Sequence, residues 1–120
     1  MMHGFISLGS PHLGYMYNSS SLIDVGMWIV QSWTQSVSLK QLSMTDSNDF
    51  QDSYLFKLSS CPHMRHFKYV ILVGSFQDSY VPYDSARVQV CLKAVEQQNS
   101  KNRQTYLKMA DNFLKSLNCR

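Results

Sequence analysis

At 120 residues and 13.8 kDa the chain has room for one small domain and not for two. Hydrophobic residues make up 44% and charged residues 16%, the latter against about 25% in an average chain, and this balance argues against intrinsic disorder. Net charge is +3, and the eleven Lys and Arg are scattered rather than gathered into a stripe, so no nucleic-acid partner is expected.

The segment Met1 to Leu8 has neither the basic region nor the apolar length of a signal peptide, and no export signal is expected. Gly4 to Leu8 is a short apolar run stopped by Gly9-Ser10-Pro11, the pattern of a strand ending in a turn. The sequon Asn18-Ser19-Ser20 has meaning only in a secreted chain and reads as chance. Ser21 with Asp24 has the form of a capping box, and Leu22, Val25, Ile29 and Trp33 recur at helical spacing, predicting a helix from about Ser21 to Gln35. Tyr15, Met16, Tyr17, Met27, Trp28 and Trp33 suit core packing, an acyl-chain pocket or a lid. Ser43 to Asn48 reads as loop. Asp49 then caps a short helix in which Phe50, Tyr54 and Leu58 share a face.

Cys61-Pro62-His63-Met64-Arg65-His66 gathers soft ligands, yet Pro62 and the lack of a fourth ligand favour a loop with surface histidines over a metal site. Phe67 to Gly74 is the strongest element. Its consecutive bulky residues suit a strand covered on both faces, as in the interior of a parallel sheet. Ser75 to Pro82 is loop, and Asp84 is placed to cap a helix carrying Val88, Cys91, Leu92 and Val95. Asn99 to Asn102 reads as a polar linker. Tyr106, Ala110, Phe113 and Leu117 then form the apolar stripe of a final helix, whose neighbourhood carries solvated Lys93, Lys101, Arg103, Lys108 and Lys115.

Strands of buried character separated and followed by helices define an α/β architecture with a parallel sheet. Two strands do not complete such a sheet, because an interior strand wants a neighbour on each side. The fold class is therefore α/β with an incomplete sheet. Its unpaired edges are expected to meet further chain of the same domain, a protein partner or a second copy. Three cysteines, Cys61, Cys91 and Cys119, form neither a disulfide framework nor a C-x-x-C pair. They suggest reduced thiols and a cytoplasmic setting. No apolar run approaches the roughly 20 residues of a transmembrane helix. No cofactor or metal is expected.

Two segments carry a resemblance. Gly4-Phe5-Ile6-Ser7-Leu8-Gly9-Ser10-Pro11-His12-Leu13-Gly14 resembles the strand and turn that follow the nucleophile helix in lipase-like α/β-hydrolases. Val70-Ile71-Leu72-Val73-Gly74-Ser75-Phe76-Gln77-Asp78-Ser79-Tyr80-Val81-Pro82-Tyr83-Asp84-Ser85-Ala86-Arg87 resembles the next strand with its acid-bearing loop. In this order the two are similar to a serine esterase family of lipase-like members. The resemblance implies a partial α/β-hydrolase fold, residues 1–120 being the C-terminal part of the domain, and an ester or lipid-ester substrate for the complete domain. It also implies that Asp78 is the catalytic triad acid, which would fix a histidine's tautomer and stabilise its imidazolium. A turn-closing role for Asp78 and a rival acid at Asp84 are the alternatives.

Much of the machinery is missing from these residues. The sequence holds no G-x-S-x-G elbow, and Gly9-Ser10-Pro11-His12-Leu13-Gly14 puts proline where the elbow supplies an oxyanion N–H, so Ser10 is not a nucleophile. Histidines 3, 12, 63 and 66 all precede Asp78, whereas the triad runs Ser, acid, His. His12 is expected to make a structural hydrogen bond to nearby backbone. The chain alone is expected to be inactive, either as a piece of a serine esterase or as a non-catalytic binding module derived from one.

Overall fold

The computed structural model describes residues 1–15, 17, 36–96 and 100–118. The predicted helix from Ser21 to Gln35, the sequon and Cys119 lie outside them.

Among the described residues two strands form the sheet. β1 is Met2–Leu8 and β2 is Phe67–Val73, and they pair in parallel with Gly4 opposite Tyr69, Ile6 opposite Ile71 and Leu8 opposite Val73. A parallel pair needs a crossover connection. Here the crossover includes α1 (Val37–Leu42), a 3-10 turn (Phe50–Asp52), α2 (Tyr54–Ser59) and a second 3-10 turn (His63–His66). After β2 come α3 (Tyr83–Ala86), α4 (Leu92–Glu96) and the long α5 (Lys101–Asn118). This is the expected incomplete α/β fold, with two parallel strands and flanking helices.

Period-two alternation divides the sheet into unlike faces. Phe5, Ser7, Val70 and Leu72 point toward the helices, and Leu72 packs against the core. Ile6, Leu8, Tyr69, Ile71 and Val73 make up the other face and are 45–71% exposed. The expectation that β2 is covered on both faces is thus not met by the described residues. An uncovered apolar face on a parallel sheet is unusual, because such sheets normally have helices on both sides.

The core lies among the helices on the covered side. Tyr106, Met109, Ala110 and Phe113 project from α5 toward Leu13, Met44, Leu55 and Ala94, so the stripe read from the sequence is the buried one. Tyr106 keeps its hydroxyl satisfied by donating to Gln89 O at 2.7 Å. Burial, more than the neighbouring Cys91 and Asp84, raises the pKa of that phenol. Ser100 Oγ accepts from the Arg103 N–H at 3.1 Å and caps α5, so Lys101 and Asn102 belong to the helix rather than to the expected linker.

Two helical expectations need correction. The segment after Asp49 is broken at Ser53: Asp49 caps only the 3-10 turn through Gln51 N, and Ser53 Oγ caps α2 through Phe56 N. The break rotates the faces, so Leu55 is buried while Tyr54 and Leu58 are exposed. Pro82, not Asp84, precedes α3, and Asp84 sits within its first turn. That helix stops after one turn because Val88 turns left-handed at φ 54°, with Gln89 N donating to Asp84 O at 2.9 Å. Val88 and Cys91 are buried, but Leu92 and Val95 belong to a separate short helix and are exposed.

Candidate functional site at the carboxyl ends of the strands

In parallel sheets, ligand-handling groups collect outside the carboxyl ends of the strands. Here those ends are held in register by the Gly9 N–H, which donates to Val73 O at 2.8 Å and extends the ladder one residue past β1. Beyond them stand the Ser10–Gly14 turn and the loop from Ser75 to Pro82, which carries Asp78.

The loop is fastened at both ends. Gly74 lets α3 approach closely, since a Cβ there would lie 3.2 Å from Ala86 Cβ and from Arg87 Cγ. Phe76 stacks on Tyr83 with ring centroids 3.6 Å apart. Arg87 lies over the same tyrosine ring at 4.8 Å, and its Nη1 donates to the Tyr83 hydroxyl. The start of the loop is thereby clamped to α3, which follows it, through one aromatic ring.

Inside this clamp the Asp78 carboxylate is used asymmetrically. Oδ1 accepts from Tyr80 N at 2.8 Å and Val81 N at 3.0 Å, so the turn-closing role anticipated for Asp78 is present. Oδ2 faces the other loop, where a Cβ on Gly9 would come within 3.3 Å of it. Gly9 adopts φ +60°, a conformation and a clearance that both favour glycine. Nearby Tyr15 is half-buried, and burial together with the Asp78 charge raises the pKa of its phenol. The rival acid Asp84 lies within the first turn of α3.

The Ser10–Gly14 turn is joined to the acid loop by one long-range bond. Leu13 N–H donates to Ser85 Oγ at 3.0 Å, both residues being buried. Local sequence gives no sign of this contact, which spans 72 positions. Replacing Ser85 by alanine strands a buried N–H, a loss of about 1–3 kcal/mol. Urea unfolding of the Ser85→Ala chain is expected to show its midpoint shifted accordingly, with the slope unchanged.

The His12 ring bonds a side chain, where the sequence suggested nearby backbone. Its Nε2 lies 2.8 Å from Ser7 Oγ, because the turn folds back over β1 on the covered face. The pair does not resemble a nucleophile with its base: Ser7 is 5% exposed in mid-strand, and burial is the cause of the His12 shift, with no carboxylate contributing. The ring lies 5.5 Å from that of Phe113 and 6.4 Å from that of Phe5. Burial in this apolar setting lowers the pKa of His12 below its ordinary 6.5. The sign follows from proton uptake: the unfolded chain binds a proton at higher pH than the folded one, so stability rises with pH and is lost on acidification. The contribution of neutral His12 is fully present above 6.5 and is lost as pH drops from there through the folded value. Thermal unfolding followed from about pH 7.5 to about pH 5.5 is expected to show this loss, and His12→Gln to reduce it.

The remaining sequence candidates stand apart. Cys61, His63 and His66 are exposed around the second 3-10 turn, and among the described residues no three His, Cys, Asp or Glu side chains are grouped to hold a metal. Cys61 and Cys91 are free thiols. No helix of the described residues is long and apolar enough to cross a membrane.

Two parallel strands with flanking helices place the chain in the α/β class, with the Asp78 loop at the carboxyl ends of the strands. Within it the assignment is narrower. Residues 1–104 match the family described as "Putative serine esterase (DUF676)", and the chain belongs to that family. No solved structure matches the chain. The match covers both segments of the resemblance, including Asp78, and supports a hydrolase-like origin.

Proposed function

We propose that this chain is the C-terminal part of a serine esterase domain and supplies Asp78 as the acid of a Ser-Asp-His triad. The nucleophile and the base would come from sequence other than these 120 residues, since they contain neither a G-x-S-x-G elbow nor a histidine after Asp78. The observation that carries this reading is the divided carboxylate. Oδ1 is spent on two backbone N–H groups that fix the loop, leaving Oδ2 turned toward Gly9 and available to accept from an imidazole N–H. The substrate would be a carboxylic ester, and the lipase-like character of the motifs favours a lipid ester. The free thiols Cys61 and Cys91 support a cytoplasmic setting.

On this reading the chain alone catalyses nothing, because two triad members and the oxyanion donors are absent together. A fluorophosphonate probe is expected to leave the purified chain unlabelled, and p-nitrophenyl butyrate to hydrolyse at the buffer rate. Adding a polypeptide that carries the elbow serine and the histidine should restore both signals. Labelling of the chain on its own would defeat the reading, as would restored turnover that survives loss of Asp78.

The open sheet face favours a second reading, a non-catalytic module completed by a protein partner or by its own copy. Ile6, Leu8, Ile71 and Val73 form a contiguous exposed stripe across the register, larger than scattered surface residues account for. Light scattering of the purified chain distinguishes the two: a discrete dimer that dissociates in Ile71→Glu supports this reading, and a monomer removes self-association from it.

A further inference from the structure

Between the covered face of the sheet and the helices lies a half-enclosed cavity of about 340 Å³. Phe5 of β1, Leu42 of α1, Leu55 and Leu58 of α2, Met64 of the second 3-10 turn and Phe113 of α5 provide most of its wall. The wall also includes hydroxyl, thiol and imidazole groups, and four of these side chains turn a polar atom to a partner of their own. Ser59 Oγ donates to Phe56 O and Ser116 Oγ to Phe113 O, each at 2.6 Å within its own helix. Cys61 Sγ turns to Lys57 O at 3.4 Å, and His12 Nε2 is bonded to Ser7. Ser10 and the exposed His63 complete the polar part of the wall. What faces the void is therefore largely hydrocarbon and aromatic ring.

Such a wall selects its occupant by chemistry. Water held there finds too few partners, and a charged group would lose its hydration without compensation. An aliphatic chain meets neither objection, provided its polar end remains in water where Leu58, Cys61 and His63 are exposed. If a methylene fills about 30 Å³, close to a water's share of liquid volume, the void of about 340 Å³ takes on the order of ten carbons. We propose that this cavity binds the hydrocarbon tail of a medium-chain amphiphile with its head at the Leu58–His63 mouth. The binding is held without chemistry and stands independently of the role of Asp78.

The test uses the 120-residue chain itself, loaded with dansyl-undecanoate and challenged with straight-chain carboxylates and primary alcohols of increasing length. Displacement is expected to tighten about fourfold per methylene and to level off near ten carbons. Alcohol and carboxylate of equal length should compete alike, because the head stays in water. Leu58→Trp sets an indole in the mouth and is expected to weaken binding at least tenfold. Leu114→Trp, on the exposed side of α5 and outside the wall, should leave it unchanged. Absence of saturable displacement, or displacement insensitive to chain length, would overturn the proposal. So would a Leu58→Trp chain that binds normally while Ile71→Glu does not, since that result assigns the probe to the open sheet face. If Leu58→Trp does not fold, the chain-length profile of the unaltered protein decides.

Discussion

Asp78→Asn, introduced into an assembled esterase domain, is expected to lower ester turnover about ten-thousand-fold while leaving the fold intact. Both halves follow from the division of labour between the two carboxylate oxygens. An asparagine keeps a carbonyl oxygen to accept from Tyr80 N and Val81 N, so the loop retains its turn. The Phe76–Tyr83–Arg87 clamp does not involve the carboxylate and keeps the start of the loop on α3. What changes is the atom facing Gly9, where an acceptor becomes an NH₂ donor. An imidazole approaching that side would be left without an acceptor for its N–H, and would be held in the wrong tautomer to take a proton from serine. Stability should shift by no more than about 0.5 kcal/mol, as for a surface substitution without a structural partner lost. Asp84→Asn is the comparison that gives the result its meaning. That side chain lies in the first turn of α3, and its loss is expected to trim stability slightly through the helix dipole and leave turnover unchanged. A larger effect at Asp84 than at Asp78 would move the acid from one loop end to the helix and remove the basis for the functional reading.

The elements that were legible in the sequence are those with a strong local period. β1 and β2 announce themselves by short apolar runs ending in glycine, and α5 by the repeat of Tyr106, Ala110 and Phe113. Parallel pairing followed from the helical segments between the strands. The failures share a cause, which is that the deciding contact is set by how the chain packs and not by a local pattern. Val88 in left-handed backbone is unfavourable for a β-branched residue and has no local signature. It persists because its side chain is buried with Cys91 and Ala94 against α5. Ser53 gave no sign that it, and not Asp49, starts α2, because a serine hydroxyl and an aspartate are comparable caps until packing of Leu55 sets the phase. Ser7 and Ser85 were missed for the same reason: each is an ordinary small residue whose partner, His12 or Leu13, is set by how turns fold back on the sheet. Asp78 was legible through family resemblance, and its spacing alone could not separate an acid from a turn residue. The structure adds that the turn bonds of Asp78 use Oδ1, with Oδ2 lying toward Gly9.

Gly14→Ala is expected to cost about 3–5 kcal/mol, the largest single loss of stability predicted for this chain. Gly14 sits at φ +69°, where a Cβ alone costs roughly 1–2 kcal/mol. The added carbon would also lie 2.5 Å from Leu42 O and 2.8 Å from Leu55 Cδ2. The leucine side chain can rotate away, but the carbonyl is anchored by the Tyr15 N–H, which donates to it at 3.1 Å. Relief therefore requires the turn to separate from the end of α1, which uncovers Leu13, a fully buried member of the core. Whole domains are stable by only about 5–15 kcal/mol, and a chain with one sheet face uncovered has less in reserve. The mutant chain should lose its near-ultraviolet dichroism and its cooperative urea transition. Gly4→Ala supplies the internal contrast, since its Cβ would meet nothing closer than Tyr69 O at 3.9 Å. That substitution reduces the backbone freedom of the unfolded chain and is expected to be neutral or to stabilise by up to about 1 kcal/mol. Equal losses from both would mean that glycine-specific geometry is not what locks the turn onto α1, and the coupling between the Ser10–Gly14 turn and the helices would have to be sought in Leu13 and Ser85 alone.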